Sequence, residues 1–330
     1  MPEEFKIPDN PTYRIASQKV DEWLGKHNDE KFRRDDIYAD FQIQKDPVKR
    51  DLVTQKLFHE VKAGRLEKIN NIYRYINNTI LYINWIDVGT NDALKIGFPY
   101  GVEDNSVFSF ANTVEISPGD IIVVAGRSNS GKTAFLMNML WENMDGFSSL
   151  YMGNEVTPQR FARRAAKMVW HNPIGENGKP KFEVVERYEN WKDIIQPDSI
   201  NYIDWINLDQ DPFKIGGILE GIKSKLKKGI CVVALQKNPE KQVGTGGQYS
   251  VHLSSLYLAM DYNLLTVYKC KGFSTFDPNG LTYSFKIVNY GSQFHDIRQV
   301  EKCPKCHGYC LTSGKTCDTC NSTGFVEKGR

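Results

Sequence analysis

The sequence predicts an α/β fold, a parallel sheet interleaved with helices, preceded by a small helical domain and followed by a cysteine module. Three observations carry this expectation. After a polar, loop-rich stretch at 77–92, short apolar runs alternate with segments of helical period. One of these runs leads directly into a glycine-rich turn that opens a helix. Five of the seven cysteines fall between Cys303 and Cys320. With 330 residues the chain has room for two to three cores, and the boundaries read as 1–78, 79–298 and 299–330.

The first domain is read from three amphipathic segments and a turn. Val20, Trp23 and Leu24 recur at helical spacing, and a charged turn leads to Ile37, Tyr38 and Phe41. Asp46-Pro47 reads as an N-cap with proline at N1, Val53, Leu57 and Val61 give the third helix its stripe, and Ala63-Gly64 ends it. Two β-prone runs around Asn70-Asn71 signal a hairpin. Three helices and a hairpin resemble a winged-helix domain, a type that serves either as a protein adaptor or as a DNA reader; the adaptor reading is preferred. In the core, strands are expected at 121–125, 148–153, 199–205, 230–235, 264–269 and 282–289, and helices at 132–143, 158–170 and 212–227.

Bulk properties exclude some function classes. A formal charge of +2 means that nucleic acid, if bound, is held by local patches and not by a polycationic surface. The longest apolar runs, such as 230–235, are too short to cross a bilayer. The first residues, Met1-Pro-Glu-Glu-Phe-Lys6, show neither a basic n-region nor an apolar h-region. A cytoplasmic protein without membrane partners is expected, and in that compartment closely paired cysteines point to metal and not to disulfides.

The glycine-rich turn is Gly126-Arg127-Ser128-Asn129-Ser130-Gly131-Lys132-Thr133, a match to the phosphate-loop pattern at every defined position. The preceding strand and following helix are what distinguish it from a chance turn: together they converge backbone N–H groups and a helix N-terminus on phosphates. The motif implies ATP, with Lys132 bridging β- and γ-phosphate oxygens and the Thr133 hydroxyl ligating Mg²⁺. Asp204 ends the strand 199–205, where it would orient Mg²⁺. Glu155 follows the strand 148–153, where it would polarise the attacking water. Either carboxylate alone reads equally well as a solvated group at a strand end. Their order and spacing after the phosphate loop make them a pair.

These residues resemble the RecA superfamily, and within it the core of DnaB-type replicative helicases. Ser117-Pro-Gly-Asp120, followed by Ile-Ile-Val-Val-Ala-Gly126, looks like that family's approach to its phosphate loop. Leu150-Tyr-Met-Gly-Asn-Glu155-Val-Thr-Pro-Gln-Arg160 is similar to the segment carrying its catalytic glutamate. Val232-Val-Ala-Leu-Gln236 is similar to the strand ending in its γ-phosphate-sensing glutamine. The resemblance covers residues 94–293. It implies a RecA-like core, a hexamer with ATP at subunit interfaces, and a basic finger acting in trans. At the finger position this chain has Lys269-Cys-Lys271, with lysine where the family has arginine, and lysine is a point donor that does not fork across two oxygens. The resemblance also implies a DNA-touching channel loop after the sensor strand. There Lys237 and Lys241 offer phosphate contacts, Gly246 and Gly247 give mobility, and Tyr249 offers a base-stacking ring, although a plain surface loop has the same composition. The function implied is an ATP-dependent DNA helicase or translocase working as a ring on DNA, single-stranded for preference. A filament-forming recombinase or loader, and a KaiC-like regulatory ATPase acting on protein partners, are the alternatives.

Cys303-Pro-Lys-Cys306 and Cys317-Asp-Thr-Cys320 form two C-x-x-C knuckles, a spacing at which four thiolates close a tetrahedral Zn²⁺ site. The knuckles resemble half-repeats of the DnaJ cysteine-rich region, with His307 and Cys310 as further candidates within reach. Lys302, Lys305 and Lys315 give this zinc ribbon a basic side suited to nucleic acid, while ribbons of this kind also hold proteins.

Overall fold

The computed structural model describes residues 5–9, 11–27, 31–76, 93–153, 157–206, 212–238, 241–312 and 315–328. The chain divides into two compact units, Met1–Val88 and Gly89–Arg330.

The first unit runs α1 (Tyr13–Lys26), β1 (Lys31–Arg33), α2 (Arg34–Asp40), α3 (Pro47–Lys62), β2 (Leu66–Ile69) and β3 (Ile72–Tyr75). Its three strands are antiparallel in the order β1-β3-β2, with Ile69 paired to Ile72 across a turn in which Asn70 takes φ 58°. The Asp46 carboxylate caps α3, accepting from the N–H groups of Val48 and Lys49 at 3.1 and 3.0 Å. Val20, Trp23, Leu24, Ile37, Tyr38, Phe41, Val53 and Leu57 meet in one core, closed by Leu66 and Tyr73 from the hairpin. The sequence signals did not show β1, whose three residues are too few for a periodic pattern.

The second unit is built on a sheet of ten strands. Six are parallel, in spatial order β6 (Glu183–Glu186), β5 (Ser149–Gly153), β7 (Ile200–Ile206), β8 (Ile230–Gln236), β4 (Ile121–Gly126) and β9 (Leu256–Asp261). Four antiparallel strands extend it: β10 (Leu264–Cys270), β11 (Thr282–Val288), β12 (Gln293–Lys302) and β15 (Phe325–Glu327). The small hairpin β13 (Leu311–Thr312) and β14 (Lys315–Thr316) lies between the last two in sequence. All six residues of β4 are buried, because the central strands are covered on both faces. On one face α4 (Lys132–Asn143) packs Phe135, Met139 and Leu140 against Ile122, Val124, Tyr202 and Val232. On the other, α6 (Ile215–Lys223) packs Ile215, Leu219 and Ile222 against Ile121, Val123, Ile203 and Val233. This is the mixed α/β architecture, built on a large parallel-rich sheet, that the sequence predicts.

Several elements differ from the sequence expectation. The helix expected over 158–170 is α5, Pro158–Ala165, and turns follow it. The helix expected over 212–227 is a single 3-10 turn, Pro212–Lys214, leading into α6, which ends at Lys223. β9 carries no alternation because it is buried on both faces, and the short α7 (Gln248–His252) lies just before it in sequence. β6 and β12 are rich in charged residues, so neither reads as a strand. Among the described residues no helix is long and apolar enough to cross a membrane.

A buried charge network fixes the first unit. Lys56 Nζ lies 2.8 Å from Asp21 and 2.7 Å from the buried Glu60, whose other contacts are the Arg65 Nε and Nη2 at 2.5 and 2.7 Å. The Arg65 guanidinium holds the Glu60 pKa down at about 2, against its burial. Replacing Glu60 by alanine leaves the buried Lys56 with Asp21 alone. The expected cost is about 2–3 kcal/mol, read as lost hydrogen-exchange protection in α3. Because the folded pKa lies below the unfolded value of about 4.3, this contribution is complete above that pH. It should fade as the pH falls through about 2, and a Glu60→Gln variant should lack that acid limb.

Candidate functional site

The carboxyl ends of β4, β7 and β8 lie level, and the candidate residues sit there. The phosphate loop leaves β4 at Gly126 and enters α4 at Lys132. Gly131 takes φ 99°, and a Cβ there would collide with Ile287 Cδ1 of β11; a Cβ on Gly126 would collide with Ser130 Oγ. The loop backbone therefore needs glycine at both positions. Ser130 Oγ is buried with no hydrogen-bond partner, a donor that suits a phosphate oxygen.

Lys132 Nζ donates to the carbonyls of Gly126 and Arg127 at 3.0 and 2.8 Å and to Gln236 Oε1 at 3.3 Å. Thr133 Oγ1 donates to Asp204 Oδ1 at 3.1 Å, and Tyr151 OH donates to Asp204 Oδ2 at 2.8 Å. Burial pushes the Asp204 carboxyl up from its ordinary range, partly offset by these two hydrogen bonds and by the charges of Arg164 and Lys132. Burial pushes the Tyr151 phenol well up, so it remains a proton donor. A hydroxyl and a carboxylate oxygen side by side, under-neutralised and facing a cavity, form a donor set suited to Mg²⁺.

That cavity has a volume of about 630 Å³. Ser128–Thr133, Asp204 and Gln236 all line it, so the structure brings together most of the expected nucleotide-binding set. Arg127 lies beside it, its guanidinium 4.6 Å above the Tyr262 ring. Glu155 lies outside the described residues. Three of the other lining residues, Arg160, Arg164 and Trp205, carry no role in the sequence reading. Arg160 and Arg164 are four apart on α5, and that spacing on an expected helix is the signal that would have found them. Trp205 follows Asp204, and no sequence signal distinguishes it from a core tryptophan.

The remaining candidates lie elsewhere. Lys237 is buried, its ammonium 2.7 Å from Asp261 and 2.9 Å from the Lys241 carbonyl, so it presents no charge to solvent. Lys241 and Tyr249 are exposed, and Tyr249 meets the exposed Phe213 ring edge-on at 5.9 Å. Gly246 and Gly247 take φ 85° and 56° just before α7. Neither Lys269 nor Lys271 lines the cavity of its own chain. Lys269 Nζ donates to the Val251 and His252 carbonyls at 2.5 and 3.3 Å, at the end of α7, while Lys271 is exposed. Burial, helped by the Lys271 charge, lowers the Lys269 pKa.

The sulfurs of Cys303, Cys306, Cys317 and Cys320 lie within 4.8 Å of one another, with Cys303–Cys317 at 3.8 Å and Cys306–Cys320 at 3.5 Å. A tetrahedron with Zn–S bonds of 2.3 Å has an edge of about 3.8 Å, so the thiols fit Zn²⁺. The knuckles exchange hydrogen bonds reciprocally. Cys303 N–H donates to the Gly324 carbonyl at 2.9 Å and Cys317 N–H to the Cys310 carbonyl at 3.0 Å. Cys310 thus holds the place in one knuckle that Gly324 holds in the other, and it stands outside the four-sulfur cluster, as does the exposed His307.

No protein-family model matches the chain, and no curated protein does. Among solved structures it is similar to the crystal structure of the RadB recombinase, at 17% identity and a TM-score of 0.39, over 53% of this chain and 90% of that one.

The thiol geometry predicts about one Zn²⁺ per chain by elemental analysis, falling well below that in Cys306→Ser. Among the described residues of the tail, the four cysteines and the half-buried Val326 make up its core. Chelation should therefore abolish hydrogen-exchange protection at Lys328, whose N–H donates to the Gln299 carbonyl. Full protection in metal-free protein would contradict a structural role for the metal.

Proposed function

We propose that this chain is a RecA-like ATPase that works on DNA as a helicase or translocase ring. The observation that carries the nucleotide reading is the convergence of Lys132, the Thr133–Asp204 pair and Gln236 on one cavity at the strand ends. Mg·ATP supplies a γ-phosphoryl group whose bond to the β-bridging oxygen breaks as its bond to a water oxygen forms. The water's proton passes to the base expected at Glu155. On binding, before that bond breaks, Lys132 would exchange its loop carbonyls for β- and γ-phosphate oxygens. Thr133 and Asp204 would hold Mg²⁺, and Gln236 would report on the γ-phosphate because its amide oxygen already touches the Lys132 ammonium. Arg160 and Arg164 add positive charge on the same side of the cavity.

The DNA reading rests on the resemblance of the core and on the exposed Phe213–Tyr249 ring pair, in the segments that follow β7 and β8. Exposed rings offered to bases suit a single strand, and Lys241 is exposed in the segment that precedes Tyr249. Lys237 takes no part in that contact in this conformation. Lys269, held by the end of α7, and Lys271 are the finger candidates acting across a subunit boundary in a hexamer or filament. One observation favours the regulatory-switch alternative: the Lys269 ammonium is already engaged by two carbonyls, and slow turnover follows if it is not released.

The first unit, α1-β1-α2-α3-β2-β3, is read as a winged helix serving as a protein adaptor. Lys49 and Lys56 of α3 are engaged within the unit, whereas Val48, Phe58 and Ile69 are exposed. The zinc module is read as a second contact surface.

Steady-state ATP hydrolysis with and without single-stranded DNA tests the proposal. DNA should stimulate turnover, and Glu155→Gln should lower it on the order of 100-fold or more. Lys132→Ala should abolish both binding and turnover. A slow rate indifferent to DNA would favour the switch, and filaments in place of rings in micrographs would favour a recombinase or loader.

A further inference from the structure

Trp205 has an unusual backbone and an unusual position. Its φ is 78°, a left-handed conformation that a bulky side chain rarely adopts. It sits in a β-bulge. Ile203 pairs with Val233 and Ile206 with Leu235, so Asp204 and Trp205 together oppose Ala234. Without the extra residue, strict alternation would send Trp205 to the face that holds Ile203 and would turn Ile206 towards the nucleotide cavity. The bulge reverses this. Ile206 rejoins the Ile203 cluster, Trp205 joins neither apolar cluster of the sheet, and Trp205 and Asp204 both line the cavity.

We propose that Trp205 is the cavity wall at the γ-phosphate end, distinguishing a nucleoside triphosphate from a diphosphate and keeping bulk water from the reacting phosphorus. The inference rests on the nucleotide reading given above. Its neighbours locate that end. Asp204 precedes it in the chain, and Gln236, which ends the adjacent strand and touches the Lys132 ammonium, lines the same cavity. A strained conformation for a large apolar ring, held where charge must be shielded, is a pattern of functional sites; a core-packing tryptophan needs no such backbone. A γ-phosphate at this wall changes the surroundings of a partly exposed indole, whereas a diphosphate stops short of it.

The test uses the full chain. Indole emission is titrated with Mg·ATPγS and with Mg·ADP in wild type and in Trp205→Phe, with calorimetry alongside to measure binding. The triphosphate should change the emission, the diphosphate should change it far less, and the difference should vanish in Trp205→Phe. In steady-state hydrolysis Trp205→Gly, which relaxes the backbone but removes the wall, should lower kcat on the order of tenfold with KM within about twofold. Trp205→Phe should keep most of the rate. Binding of both nucleotides with equal emission changes, or a difference that persists in Trp205→Phe, overturns this inference alone. So does a Trp205→Gly enzyme with wild-type kcat. Absence of calorimetric binding to wild type overturns the nucleotide reading, and this inference with it.

Discussion

The register of four parallel strands, β5, β7, β8 and β4, is the constraint on which the site depends. Gly126 of β4 pairs with Gln236 of β8, and Gly153 of β5 pairs with Asp204 of β7. Parallel neighbours end on the same edge, so this register brings Lys132, Asp204 and Gln236 to one end of the sheet, with Asp204 opposite Ala234 at the bulge of β7. A one-residue slip would turn every side chain of a strand to the opposite face. The slip is resisted because β4, β7 and β8 are buried on both sides, with α4 on one face and α6 on the other. The apolar packing that stabilises the sheet thereby also fixes the polar geometry at its edge.

Much of this was legible in the sequence where one physical signal dominated. The phosphate loop needs glycine at two positions and a strand and helix around them, and those residues stand in that order. The α3 cap was equally plain, because Asp46-Pro47 has few other uses ahead of an amphipathic stripe. The cysteine cluster was plain because its spacing reflects metal geometry. Legibility failed where tertiary context overrode local pattern. β12 carries charges along it, at Asp296, Arg298, Glu301 and Lys302, so its sequence resembles a loop. α5 ends at Ala165 although its apolar pattern continues towards Trp170. That side chain instead packs on the large core cluster and donates to Glu142.

Single side chains were less legible than elements. Lys237 stands in a glycine-bearing loop, where an exposed lysine is the natural expectation, yet Asp261, distant in sequence, draws it inside. Loop composition records the tendency of a segment to bend, not which of its charges finds a partner. Gly244 shows the same limit. Its N–H is held by Tyr257 OH at 2.7 Å, and a Cβ there would press on Ala125 and the Gln236 carbonyl. It serves close packing where the composition suggested mobility.

The thiolate module leaves the large sheet at Lys302 and returns at Phe325, and those two residues are paired neighbours. A segment that starts and ends on the two residues of one rung imposes no length requirement on the framework that carries it. Over evolutionary time such a hairpin tip is a grafting point. The module can be lengthened, exchanged or trimmed to a turn while β12 keeps its pairing with β11, and the large sheet and this cysteine head can then diversify independently.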